Sequence, residues 1–443
     1  MLRAVIKIVA SKYQYMNVPK IVLSGLLCWA AWHVHAQQPK SGVAPFTADN
    51  AANFIREDEL VVLPRSFAAQ KIALQKDEVV LVKYKGIALP VQYDDLDNDG
   101  SWDEAVFLFT FKPKERVHFT MEASETPAQV KPVVRAHVRH RRKLPDDRFG
   151  DAMRVDTMPH DHQPTDFTKQ KLPAYLTEGP AWENDKVGFR KYFDVRNAND
   201  IWGKTTPEMV LDRVGVHPDS NYHQLNWWGM DILKVGRSLG AGAIALKIPL
   251  KEGNKDTLLR MGSDVAQVIY RVLADGPVRA MFMITYNDRI LPGYPETVTV
   301  TEKISIWGGQ YFFQNEVSIL NAPEGTKLVT GFPDLYGCAM DSVISAEGVT
   351  LYSLGMRSES KDTLALAVMV PAKNFHSMTR SAQEHSDITN AFLISQHARK
   401  NQTCTYRFFA FWQGSGKVFN TKHDMEAELQ LRSSFMHSPI YIE

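Results

Sequence analysis

Gly236-Arg-Ser-Leu-Gly240-Ala-Gly242-Ala-Ile-Ala-Leu-Lys-Ile248 separates two readings of the fold. A glycine-rich loop built to cradle phosphate continues into Lys-Ser/Thr and then into a helix whose first turn faces the anion. This one lacks Lys-Ser/Thr, and residues 243–248 that follow are a short, mostly apolar run that reads as a strand. Nucleotide binding is therefore rejected, and no nucleotide cofactor is expected.

Working outward, the same short β-rich runs recur on both sides. Downstream and upstream lie 186–196, 241–250, 267–273, 278–286, 296–306, 311–319, 363–370 and 404–412; before them come 59–64, 78–84, 105–111 and 116–121. Helical signals are few. Thr206 as cap with Pro207 in the first turn predicts a short helix through Arg213. A second helix is predicted from Thr421 through Arg432, with Asp424, Glu426 and Glu428 near its positive end. Many strands and few helices predict a mainly β protein: a small N-terminal β-sandwich over 49–128, ending near Glu125-Thr-Pro-Ala128, then a large antiparallel two-sheet sandwich over 129–443. No internal repeat or low-complexity tract interrupts this pattern.

The chain opens differently. Lys20 precedes an apolar run from Ile21 to Trp32, and Val34-His35-Ala36 supplies small residues for cleavage. Residues 1–36 read as a secretory signal cut after Ala36, with Met1 or Met16 as the start, and 37–48 as a flexible linker. The run is short for a membrane span, and Gln37-Gln-Pro-Lys40 follows directly, so no stable membrane anchor is expected. The product would be periplasmic or extracellular. Cys338 and Cys404 then remain, able to form one disulfide or to stay as two buried thiols.

The 443 residues are 44% hydrophobic and 23% charged, which excludes a disordered or collagen-like chain. Basic and acidic side chains number 51 and 50, and losing Arg3, Lys7, Lys12 and Lys20 leaves 47 against 50. A net charge near −3 does not supply the basic field that nucleic acid requires.

Asp95-Leu-Asp97-Asn-Asp99-Gly100-Ser-Trp-Asp103-Glu104 is the most specific local motif. Carboxylates at alternate positions followed by glycine can wrap a hard cation, so Asp95, Asp97, Asp99 and Asp103 are the candidate ligands of a structural Ca²⁺. The twelfth position is Val106 rather than glutamate, so a helix-loop-helix site is excluded, and a hairpin of Asx turns without metal stays open.

With Val91-Gln-Tyr-Asp94 before it and Ala181-Trp-Glu-Asn-Asp-Lys-Val-Gly-Phe-Arg190 downstream, this motif resembles the secreted bacterial family catalogued as domain of unknown function 4861. The resemblance covers nearly the whole mature chain. It implies a supersandwich like that of galactose mutarotase, in a setting of pectin, ulvan and other uronate-rich glycan breakdown, and carries no catalytic residues with it.

Site residues must then come from the chain itself. Four of the seven mature tryptophans, Trp182, Trp202, Trp227 and Trp228, fall within 47 residues, interleaved with Asn184, Arg190, Tyr222, His223 and Asn226. Stacking rings beside polar groups suit a glycan cleft, although core packing claims most tryptophans. Proton abstraction next to a uronate carboxylate needs a base, an acid and a partner for the carboxylate. His223 is the candidate base, Tyr222 the acid, and Arg190 or Asn184 the carboxylate partner, with Trp182, Trp202, Asn226, Trp227 and Trp228 lining the cleft.

These assignments point to a lyase or dehydratase acting on an acidic poly- or oligosaccharide. A non-catalytic glycan-binding protein, an aldose mutarotase or epimerase, and a glycoside hydrolase using Glu178 and Glu183 stay open. Two histidine groups complete the survey. His160-Asp-His162 could begin a Zn²⁺ site but lacks further ligands, and His137-Val-Arg-His140-Arg-Arg-Lys143 could meet an acidic glycan or form a solvated edge.

Overall fold

The computed structural model describes residues 42–217, 221–249, 256–381 and 386–443. The proposed export signal lies outside the described residues. No helix among those described is long and apolar enough to cross a membrane.

Inward-pointing alternation builds the first layers. In Arg116–Ser124, Val117, Phe119 and Met121 are buried while their neighbours face out. This strand sits in a five-stranded sheet ordered Tyr441–Ile442, Val43–Asp49, Arg116–Ser124, Val79–Tyr84 and Ile87–Ala88. A three-stranded sheet of Arg56–Pro64, Glu104–Phe111 and Gln92–Asp94 shares its core through Val61, Leu63 and Phe107. Two features differ from the sequence reading. Pairing begins at Val43, inside the stretch expected to be a linker, because Ala44, Phe46 and Ala48 alternate inward. The far end of the chain also joins this sheet, with Ala48 opposite Ile442.

The larger part is an antiparallel assembly around one core. Its nine-stranded sheet runs Asp341–Ile344, Gly348–Met356, Thr363–Pro371, Cys404–Trp412, Phe312–Leu320, Val298–Trp307, Arg279–Arg289, Gln267–Asp275 and Val155–Met158. Two five-stranded sheets share that core. One is Asp256–Arg260, Ala245–Pro249, Lys327–Pro333, Ala391–His397 and Phe375–Arg380; the other is Gly229–Asp231, Asn199–Lys204, Val187–Lys191, Ala181–Asn184 and Ala136–Arg139. Trp182, Phe189, Phe282, Phe313, Phe332 and Phe408 meet between them. The fold is thus mainly β, as the strand spacing predicts.

The glycine stretch does lead into a strand, and two of its glycines have a packing cause. A Cβ on Gly242, whose φ is 72°, would lie 2.6 Å from the Phe408 ring. One on Gly240 would lie 1.9 Å from the carbonyl oxygen of Asn199.

The C-terminal helix spans Lys422–His437, with Thr421 and Asp424 forming a reciprocal capping box, and packs Met425 and Leu429 against Met369 and Phe409. The helix expected after Thr206 does not form. The amides of Val210 and Leu211 donate to the buried Glu183 carboxylate at 2.6 and 2.8 Å, which holds this segment in turns. A short helix at Arg65–Lys71 carries no side-chain cap, so no local start signal marks it. Both Cys338 and Cys404 are free thiols, and burial pushes the Cys404 thiol up to about 11.

Candidate functional site

Strand register collects the polar side chains. Arg190 lies opposite Asp200, and Trp202, two residues on, lies opposite Asp231. Period-two alternation therefore sets Arg190, Asp200, Trp202 and Asp231 on one face, while Trp182, Phe189 and Ile201 take the core face. Between Lys204 and Gly229, residues 205–217 and 221–228 fold over the polar face, packing Val210, Leu211, Val214 and Trp228 around Trp202.

Beneath that cover, Arg190 is saturated. Its guanidinium donates at 2.8 Å to both Asp200 and Asp231, at 3.3 Å to the Tyr192 hydroxyl and at 3.4 Å to the Tyr222 hydroxyl, and lies 3.5 Å from Glu178. The Tyr192 hydroxyl donates to Asp200 at 2.6 Å. Burial and the neighbouring Asp200 charge hold the Asp231 carboxyl well above the ordinary carboxylate range. The backbone here is also strained, since consecutive non-glycine residues Thr177 and Glu178 adopt φ of 52° and 67°, and the Thr177 carbonyl accepts from Arg190 at 3.4 Å.

His223 stands at the solvent edge of this network, 64% exposed, its Nδ1 3.4 Å from Asp231. Tyr222 is half-buried beside it, the two rings 4.6 Å apart. Burial and then the Arg190 charge push the His223 imidazole below its usual range, so its neutral form dominates at neutral pH; burial raises the Tyr222 phenol, which stays protonated. A proton acceptor and a proton donor therefore sit side by side at one surface.

Several sequence-derived assignments need correction. Trp182 and Trp202 are completely buried and Trp228 nearly so, because the first stacks on Phe189 and the other two pack edge to face beneath Tyr222 and the covering loop. None offers a face to sugar. The Asn184 amide donates to the Trp307 and Gln310 carbonyls and accepts from Lys186 and Val187, so its role is to hold backbone. Arg190 cannot meet a substrate carboxylate, being buried and already paired; it is a positioning residue. Only Trp227, 54% exposed and covered on one side by Arg213 at 4.6 Å, and the exposed Asn226 stay at the surface beside His223 in sequence. Glu183 pairs internally with Lys204, which removes it as half of a hydrolase pair.

The basic run is internally neutralised rather than free. His137 contacts Asp212 and Asp275, His140 and Arg142 share Asp156, Arg141 pairs with Asp212 and Lys143 with Asp147. His160 turns to Asp161, whereas His162 packs against Tyr175.

Asp95, Asp97 and Asp99 each offer a carboxylate oxygen within 4.8 Å of the others, a donor set that suits a hard cation. The same carboxylates accept from the amides of Asp99, Gly100 and Ser101, as Asx turns do. Asp103 does not join the trio; it caps the Leu96 amide at 2.7 Å.

Asp200, Asp231, Tyr192 and the paired role of Glu178 escaped the sequence reading. The available signal was the alternation Asp200-Ile-Trp202, which places a carboxylate and a ring on one face. A cavity of about 940 Å³ opens beyond Tyr192, between Arg196, Arg237, Arg260 and Asp387, and does not include His223.

Among known proteins, a curated relative is the uncharacterized protein P7 of Formosa agariphila, 23% identical over 411 residues, covering 86% of this chain and 90% of that one. In solved structures the chain is similar to an α-mannosidase from Enterococcus faecalis, with TM-score 0.47, 10% identity, and coverage of 91% of this chain and 46% of that chain. A glycosyl hydrolase family 38 protein from the same species gives TM-score 0.41 and 11% identity, covering 91% and 47%. The chain thus spans about half the length of those structures. The family model described as a domain of unknown function, DUF4861, matches residues 48–442, and the chain belongs to that family.

Proposed function

We propose that this protein is a carbohydrate-active enzyme that moves protons at the His223–Tyr222 pair. The observation that carries the reading is the adjacency of an exposed imidazole favouring its neutral form and a phenol kept protonated, both anchored on the Arg190–Asp200–Asp231 network. In an elimination on a uronate-containing oligosaccharide, His223 takes the proton next to the carboxylate, the glycosidic or hydroxyl C–O bond breaks, and Tyr222 protonates the leaving oxygen. That is lyase or dehydratase chemistry, and because Arg190 and Asn184 are already paired, the substrate carboxylate must be met by another group.

A second reading is anomer interconversion of an aldose. It is favoured by the saturation of Arg190, since base and acid suffice there and no cation is needed for a substrate carboxylate. Incubation of the 37–443 protein with fractionated pectin and ulvan oligosaccharides, followed by mass spectrometry, separates the reactions. A split without water indicates a lyase, loss of water a dehydratase, and gain of water a hydrolase; proton NMR of free aldoses tests anomer exchange. Unchanged substrates in every assay, or full turnover by His223→Ala, would sink the proposal.

A further inference from the structure

A distant part of the chain meets the backbone beside this site. The Glu359 amide donates to the Ile232 carbonyl at 3.0 Å, and Ile232 directly follows Asp231, the carboxylate that His223 faces. Glu359 is exposed. Its Oε1 accepts a 2.6 Å hydrogen bond from the Tyr336 hydroxyl, and Tyr336 is itself 54% exposed. Tyr336 sits at φ 58°, followed by Gly337 at φ 68°, two consecutive left-handed residues. Such a conformation costs free energy in a tyrosine and persists only where surrounding contacts enforce it. The phenol anchored to Glu359 is one such contact.

We propose that Tyr336 and Glu359 form a binding subsite for a neutral sugar ring next to the ring on which His223 acts; this rests on the proposed function of that site. The chemistry selects the ligand. A fixed, exposed aromatic ring presents an apolar face to a sugar ring, and the second Glu359 oxygen accepts from a hydroxyl. The same carboxylate, set beside the Asp231 end of the network, repels a carboxylated ring in that position. The preferred substrate therefore alternates a uronate with a neutral sugar.

The test compares a purified hexasaccharide of alternating uronate and neutral rings with hexagalacturonate, reading kcat, KM and, by calorimetry, affinity. Tyr336→Ala should raise KM and the dissociation constant for the alternating probe about tenfold, with kcat within threefold, on the scale of losing one stacked ring. Glu359→Gln should narrow the preference over hexagalacturonate by a similar factor. Both residues are exposed, and equal thermal midpoints would confirm intact folding. If His223→Ala abolishes turnover while Tyr336→Ala and Glu359→Gln leave both probes unaffected, the subsite is wrong and the proton-transfer reading stands. If His223→Ala turns over normally, that reading fails. Wild-type protein that neither binds nor converts either probe overturns both.

Discussion

At the residue scale, His223 is where chemistry can be separated from structure. It is exposed and meets the network at Asp231 and at the Tyr222 ring, so His223→Ala should keep the fold while lowering kcat by at least about 100-fold, the usual contribution of a positioned base. Because burial and Arg190 disfavour its charged form, activity should rise with pH through a midpoint below the ordinary imidazole range and be level by neutrality. An acid-limb midpoint above 6.5 would contradict the assignment. Arg190 behaves oppositely. Arg190→Met strands the Asp200 carboxylate in a buried site, and urea unfolding should show a loss of about 3–5 kcal/mol. His137 supplies a different pH signature. Burial opposes its charge, but the close carboxylates of Asp212 and Asp275 outweigh this and bring it up to about 9. A raised histidine stabilises fully below its unfolded value near 6.5, and that stability is lost as pH rises towards 9. The thermal midpoint should fall across that window, and less so in His137→Gln.

At the element scale, the Asp95–Asp99 loop tests whether carboxylate geometry serves a cation or only a turn. Asp97 accepts a single amide, from Asp99, so Asp97→Ala removes one turn contact and one possible ligand. The expected outcome is a larger loss of thermal midpoint in Ca²⁺ than in chelator, because a ligand bound only by the folded state adds stability; equal losses would leave the turn as the whole account. The elements also explain what was legible in the sequence. Strands such as Cys404–Trp412 and the capped C-terminal helix were readable because their signals are local, as periodicity and a Thr-x-x-Asp cap. The failed helix after Thr206 depended on Glu183, more than twenty residues away. The tryptophans misled for the same reason: burial of Trp202 is decided by a loop that returns to cover it. Tyr222 and His223 were identifiable by type, but their neighbours Asp200 and Asp231 required the strand register.

At the scale of the whole molecule, the smaller pair of sheets is joined to the larger assembly by largely buried polar groups. Arg279 on the strand Arg279–Arg289 donates to Asp94 and Glu104, while Gln92 accepts from the Val278 and Arg279 amides and donates to the Arg279 carbonyl. Arg56 is likewise buried and donates to carbonyls of Phe435 and Ser438 at the end of the C-terminal helix. Burying charge is unfavourable unless every donor finds an acceptor, so these contacts act as a set: losing one partner costs more than the pair contributes. Asp94→Ala should therefore destabilise the protein by about 3 kcal/mol, since it leaves the Arg279 guanidinium largely buried with only Glu104 opposite. Adding Arg279→Met to that variant removes the orphaned charge and should restore most of the loss, and the excess over additivity measures the coupling. Trp102 is the tryptophan of the smaller core, so unfolding of that part can be followed by the emission difference between the protein and its Trp102→Phe variant. In urea, Asp94→Ala should shift the Trp102 transition and the circular dichroism transition together if the junction couples the two cores, whereas a Trp102 signal that moves alone would mean that they unfold separately.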